Sequence, residues 1–141
     1  MRMFDIFSVN LSSDATKTEQ GGIRPAIIVQ NDIGNKYSPT VIVLPLTTEI
    51  KKADLPTHCI IHKSIKNGLK NDSMVLAEQI RVIDKSRLLN KIGYLDDKNE
   101  QDEVINAYLA NITGKKKYDT VWSKVINLIF KLVKENNYGK A

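Results

Sequence analysis

"IRPAIIVQ" at residues 23–30 and "TVIVLPLT" at residues 40–47, joined by "NDIGNKYSP" at 31–39, decide how this chain is read. Both outer stretches are aliphatic and β-branched at consecutive rather than alternate positions, the pattern of strands covered on both faces in a barrel or sandwich. The Asn, Gly, Ser and Pro of the connection are hairpin punctuation. If the hairpin centres near Gly34 and Asn35, paired positions sum to about 70, and Arg24 faces a residue close to Thr47 across the sheet. Thr48 is the competing partner, because a one-residue slip reverses the face and the nine-residue connection leaves register loosely fixed.

Further strands are expected around this hairpin. Residues 3–10 alternate loosely and run into "SSDATKTEQGG" (12–22), a polar loop rich in turn formers. "THCIIH" (57–62) and "SMVLAEQIRVID" (73–84) read as two more strands, separated by "KSIKNGLKND". Strands at this spacing predict a small, mostly antiparallel barrel. After Asp84 the period changes. "DKSRLLNKI" is a short helix candidate, and residues 96–113 predict a helix capped by Asp96 or Asp97, apolar at Val104, Ile105, Tyr108, Leu109 and Ile112, and stopped by Gly114. "KKKYDT" then forms a charged hinge before an amphipathic tail helix with Trp122, Ile126, Ile129 and Val133 on one stripe.

The 141 residues fit one domain, 1–114, with an appendage, 115–141. The net charge of +5 lies in that appendage: residues 1–114 hold 14 basic and 14 acidic side chains, residues 115–141 hold 7 and 2. Basicity is therefore no reason to make the main domain a plain nucleic-acid-binding barrel, which would carry basic strands with exposed aromatics. The single cysteine, Cys59, excludes an internal disulfide and reads as a small buried hydrophobe. The N-terminus has no signal-peptide apolar core, and no run is long enough to span a membrane. These features predict a cytoplasmic protein with no membrane partner.

Several side chains are candidates for chemistry. Arg24, at the junction of the 12–22 loop and a strand, together with a threonine hydroxyl is suited to grip a phosphate; the plainer reading is a solvated surface arginine. Glu78 and Gln79 fall within an apolar strand, where a carboxylate needs a partner, expected to be Arg81 or Arg24. The structural reading is a pair that stabilises the fold; the functional one is that it orients Arg24 or reads a base edge. His58 and His62, i and i+4 on a strand, lie about 13 Å apart, too far to share a zinc ion. No metal or other cofactor is expected.

"EQGGIRPAIIVQNDIGNKYSPTVIV" (19–43), "KADLPTH" (52–58), "GLKNDSMVLAEQIRVIDKSRL" (68–88) and "KIGYLD" (91–96) resemble the MazF/PemK family of toxin endoribonucleases, most closely its Gram-positive members. The resemblance runs from residue 4 to about 112. It implies an SH3-like small antiparallel barrel of the MazF/CcdB type, a homodimer and a cognate MazE-like antitoxin. The implied activity is metal-independent cleavage of single-stranded mRNA at a short sequence, with the substrate 2′-OH as nucleophile and 2′,3′-cyclic phosphate and 5′-hydroxyl ends. A U-A-C-A-U type site is implied by the closest relatives. The family's catalytic arginine falls on Arg24 and its threonine on Thr47, with Glu19, Gln20, Gly21, Gly22, Thr48, Glu78 and Gln79 as RNA-binding positions. Glu19, Glu78 and His58 stand as alternative general bases.

The chain departs from the family by starting "FDIF" (4–7) where Gly-Asp is usual, by placing Pro45 ahead of Thr47, and by carrying the tail. The alternative function is a binding-only toxin on the same barrel that blocks a protein target such as DNA gyrase. Those relatives act through a terminal tryptophan, whereas 19 residues follow Trp122 here.

Overall fold

The computed structural model describes residues 1–11, 21–115 and 121–138, with backbone only at 121–124, 126, 127, 137 and 138. The expected loop at 12–20, most of the 115–120 hinge, and the side chains of Trp122 and Ile126 lie outside the described residues. The ordered elements are β1 (Asp5–Asn10), β2 (Ile23–Ile28), α1 (Asp32–Tyr37), β3 (Thr40–Thr47), β4 (His58–Ile61), β5 (Ser73–Leu76), β6 (Arg81–Asp84), β7 (Leu88–Tyr94), α2 (Lys98–Thr113) and α3 (Val121–Tyr138).

The seven strands pair antiparallel in the order β4-β5-β3-β2-β1-β7, with β6 also on β3. Strand β3 binds this arrangement together. Its first half, Thr40–Val43, pairs with β6, whereas Leu46 and Thr47 pair with β5. The double coverage expected of the central strands has a direct cause in two separate cores. Ile6, Ile27, Leu44 and Leu46 enter one, shared with Val75, Leu95, Val104 and Ala107; Val9, Ala26, Ile28, Val41 and Val43 enter the other, with Ile83. Alternate residues of one strand thus feed opposite cores, and both parities must be apolar. Cys59 is buried in the first core, as expected.

The sheet curls without closing, since the end strands β4 and β7 are not hydrogen-bonded to each other. The 62–72 loop fills the gap. Tyr94 N–H donates to the Lys66 carbonyl at 2.9 Å. A Cβ added at Gly93 would stand 2.4 Å from the Asn67 carbonyl carbon and 2.5 Å from the Lys66 oxygen. Both obstacles are backbone and cannot swing aside. Gly93→Ala should therefore cost about 1–3 kcal/mol of stability, as overpacking does. A lower urea midpoint with an unchanged slope is the expected readout; an unchanged midpoint would mean the loop is not held here.

Three sequence expectations are corrected. The 31–39 connection is not a simple hairpin turn but α1: Asn31 Oδ1 accepts from Gly34 N–H at 2.9 Å, and this cap starts a six-residue helix. "SMVLAEQIRVID" is not one strand, because Ala77–Gln79 form a 3-10 turn between β5 and β6. "DKSRLLNKI" (84–92) is not a short helix but a 3-10 turn over Lys85–Arg87, capped by Asp84 through Ser86 N–H at 2.8 Å, running directly into β7. At Asn31 and Asp84 a polar side chain caps the backbone locally, a signal that hydrophobic period does not carry, whereas the Ala77–Gln79 turn has no side-chain cap and is closed by Ile80 N–H donating to the Ala77 carbonyl at 3.2 Å.

Helix α2 is capped by Asp97, whose Oδ1 accepts from Glu100 N–H at 3.0 Å, and ends at Gly114 in the left-handed region. Its most buried residues are Val104, Ala107 and Ala110, while Ile112 is 84% exposed. Small alanines let the helix lie close on the sheet, so the contact face lies one position away from the largest side chains. At the N-terminus Phe4 has φ of 71°, the conformation that the family's usual glycine adopts freely. Its ring packs on the first core, which offsets a left-handed cost of about 1–2 kcal/mol. In α3, Leu128, Ile129, Phe130, Leu132 and Val133 are exposed, and among the described residues no helix is long and apolar enough to cross a membrane.

Candidate active site

Arg24 stands in β2 opposite Val9 of β1, just beyond the base of the 12–20 segment. That base is tied twice: Leu11 N–H donates to the Gly22 carbonyl at 2.8 Å, and the Arg81 guanidinium from β6 bonds the Leu11 carbonyl. The sequence offered Arg81 or Arg24 as the partner of Glu78; Arg81 instead reaches the Leu11 carbonyl. Gly22 has φ of 72°, which turns the chain into β2 and exposes backbone beside Arg24.

The β2–β3 ladder pairs Ala26 with Pro45, Ile27 with Leu44 and Ile28 with Val43. Continued by two residues, this register sets Arg24 opposite Thr47, not Thr48. Pro45 does not displace the strand, because β3 runs through it to Thr47. Arg24 and Thr47 line one cavity of about 430 Å³ with Gly21, Gly22, Ile23, Pro25, Leu46, Thr48 and Ser73.

Within the cavity, Arg24 Nε donates to the Gly21 carbonyl at 2.9 Å. That bond fixes the side chain by its root and, among the described residues, leaves both terminal nitrogens without an acceptor. Thr47 Oγ1 accepts from Glu49 N–H at 3.1 Å, so its hydroxyl hydrogen remains to be donated. A fixed cation and a hydroxyl donor converge on one space, which suits a phosphate. Glu49 borders the site with its carboxyl held below the usual range, chiefly by its bond to Lys51 at 2.5 Å and weakly by the Arg24 charge.

The other candidates fall elsewhere. Glu78 and Gln79 sit on the 3-10 turn and do not line this cavity. Glu78 pairs neither with Arg81 nor with Arg24 but with His58, Nε2 to Oε1 at 2.8 Å. His62 meets Asp72 at 3.3 Å instead. Glu19 and Gln20 lie outside the described residues. A larger cavity of about 930 Å³ between β4 and α2 is lined by His58, Cys59, His62 and Glu100, but it lacks an arginine. There, burial pushes the Glu100 carboxyl up, and Oε2 accepts from His62 N–H at 2.8 Å.

Residues 2–112 match the family described as PemK-like, MazF-like toxin of type II toxin-antitoxin systems. The chain belongs to that family. Among curated relatives, Endoribonuclease MazF of Staphylococcus saprophyticus is 54% identical over 107 residues, covering 76% of this chain and 87% of the relative. Endoribonuclease EndoA of Bacillus subtilis is 47% identical over 110 residues, 77% and 93% of the two chains. The crystal structure of MazF from Deinococcus radiodurans superposes with a TM-score of 0.66 at 21% identity, covering 80% and 96%, and so shares the fold. The family match ends before α3, so nothing in it speaks to the tail.

Proposed function

We propose that this MazF-like toxin is a metal-independent endoribonuclease that cuts single-stranded mRNA in the cytoplasm, acts as a homodimer and is silenced by a cognate MazE-like antitoxin. The single observation that supports it most is the meeting of Arg24 and Thr47 in one cavity. In the reaction the 2′-oxygen attacks the adjacent phosphorus, forming the 2′-O–P bond as the P–O5′ bond breaks. The 2′-OH proton passes to a base and the departing 5′-oxygen gains one, leaving a 2′,3′-cyclic phosphate and a 5′-hydroxyl.

A guanidinium carries five N–H donors and no acceptor, so Arg24 serves as donor rather than base. Its terminal nitrogens stabilise charge on the phosphoryl oxygens, and Thr47 donates to the same phosphate. This fixed cation takes the part that a metal ion plays in other nucleases. Of the three candidate bases, His58 and Glu78 are bonded to each other and do not line the cavity, and Glu19 lies outside the described residues. Gly21, Gly22, Thr48 and Gln20 hold the RNA strand at the cavity, and Glu78 and Gln79 extend the contact along it. Residues 1–114 form the nuclease and residues 115–141 an appended basic tail that contains α3.

End-group analysis tests the chemistry. RNA cut by the purified protein in EDTA should carry 5′-hydroxyl ends that a polynucleotide kinase labels directly. Ends with a 5′-phosphate, or no cutting until a divalent ion is restored, would overturn the proposal.

A further inference from the structure

His58 is a buried imidazole with both ring nitrogens occupied. Its side chain is only 7% exposed. Nδ1 lies 2.8 Å from the Lys52 carbonyl oxygen and Nε2 lies 2.8 Å from Glu78 Oε1. A carbonyl oxygen only accepts, so Nδ1 must carry hydrogen, and the short contact to Glu78 needs a second hydrogen, on Nε2 or on the carboxyl.

The residue so held is unusual. Lys52 has φ of 50°, left-handed without being glycine, in the connection between β3 and β4. Its carbonyl also accepts from Leu55 N–H at 3.1 Å, and His58 N–H returns to the Leu55 carbonyl at 3.0 Å. The turn Lys52–Leu55 is thus built around the imidazole. Ala77 N–H reaches the Thr57 carbonyl at 3.0 Å, which ties the 3-10 turn to the end of the same connection. That connection begins at Thr48 on the wall of the Arg24 cavity. On the far side of His58, Glu78 is 40% exposed and uses only Oε1, leaving Oε2 at the surface.

We propose that His58 is a positioning residue for RNA recognition: bonded at both ring nitrogens, it clasps the Lys52–Leu55 turn to Glu78 and sets the spacing between the Thr47–Thr48 edge and the free Glu78 oxygen. This rests on reading the Arg24 cavity as the cleavage site. A carboxylate with one oxygen tethered presents the other as a fixed acceptor, suited to the exocyclic amino group of cytosine or adenine. His58 touches neither Arg24 nor the reacting phosphate. Its loss therefore weakens binding of the RNA by removing preorganisation, with little effect on the bond-breaking step.

The test measures steady-state kinetics on a short RNA and amide exchange at Leu55, whose N–H shares the Lys52 carbonyl. His58→Gln should raise KM about tenfold while kcat stays within about threefold, and Leu55 exchange should accelerate. A fall in kcat at unchanged KM, or wild-type KM and Leu55 exchange, overturns the proposal. Should His58→Gln fail to fold, Glu78→Ala, at a surface side chain, replaces it. Faster Leu55 exchange is then expected although Glu78 makes no bond to that residue, and unchanged protection sinks the clasp. Because the chain has two histidines, the imidazole nitrogen spectrum supplies a further arm on the unmodified protein. A bare Nδ1 on His58 contradicts the arrangement. Arg24→Ala protein that still cuts RNA would remove the cleavage-site reading, whereas intact Leu55 protection in the His58 and Glu78 variants removes the clasp alone.

Discussion

Arg24→Ala is expected to slow RNA cleavage by about 10²–10³-fold, the usual loss for one donor aimed at developing charge. The fold should survive. Arg24 is exposed, the only hydrogen bond of its side chain among the described residues is Nε to Gly21, and such a bond contributes about 0.5–1.5 kcal/mol. Arg24→Lys should recover little of the rate. An ammonium restores the charge but not the fork that anchors at Gly21 through Nε while two further nitrogens face the phosphate. Circular dichroism and cleavage rates measured together decide the matter. Unfolding in step with lost activity would make Arg24 a structural residue, and undiminished cutting would remove it from the site.

The Arg24–Thr47 juxtaposition was legible from sequence because two strands of one β-hairpin must pair, and the composition of the connection placed its centre closely enough. The connection itself, α1, was not legible: Asn31 caps it, and a single polar side chain has no period. Core positions on β2 and β3 could be read because the double core demands apolar residues of both parities. In α2 the buried alanines were missed, since close packing selects small residues that a search for large ones passes over. Glu78 was seen to need a partner, but that partner, His58, sits 20 positions earlier in the chain and faces it only because β4 and β5 pair in their observed register. Arg81 escaped for a similar reason, its acceptor at Leu11 being 70 residues away.

The second large effect lies in the substrate. If the nucleophile is the RNA's own 2′-oxygen, replacing that one hydroxyl by hydrogen at the cut nucleotide removes the attacking atom and leaves every protein contact to phosphate and bases in place. Binding should persist while cleavage at that position falls to the uncatalysed level. Neither Arg24 nor Thr47 can compensate, because both act as donors to phosphate in this scheme. A nuclease that activates water would be almost indifferent to the change.

The decisive measurement is therefore cleavage of two otherwise identical oligonucleotides, all-ribose and singly 2′-deoxy at the cut nucleotide, in EDTA with the unmodified protein. Rapid cutting of the first, with none at the modified position of the second despite comparable binding, is the expected result; cutting of both at similar rates would contradict it.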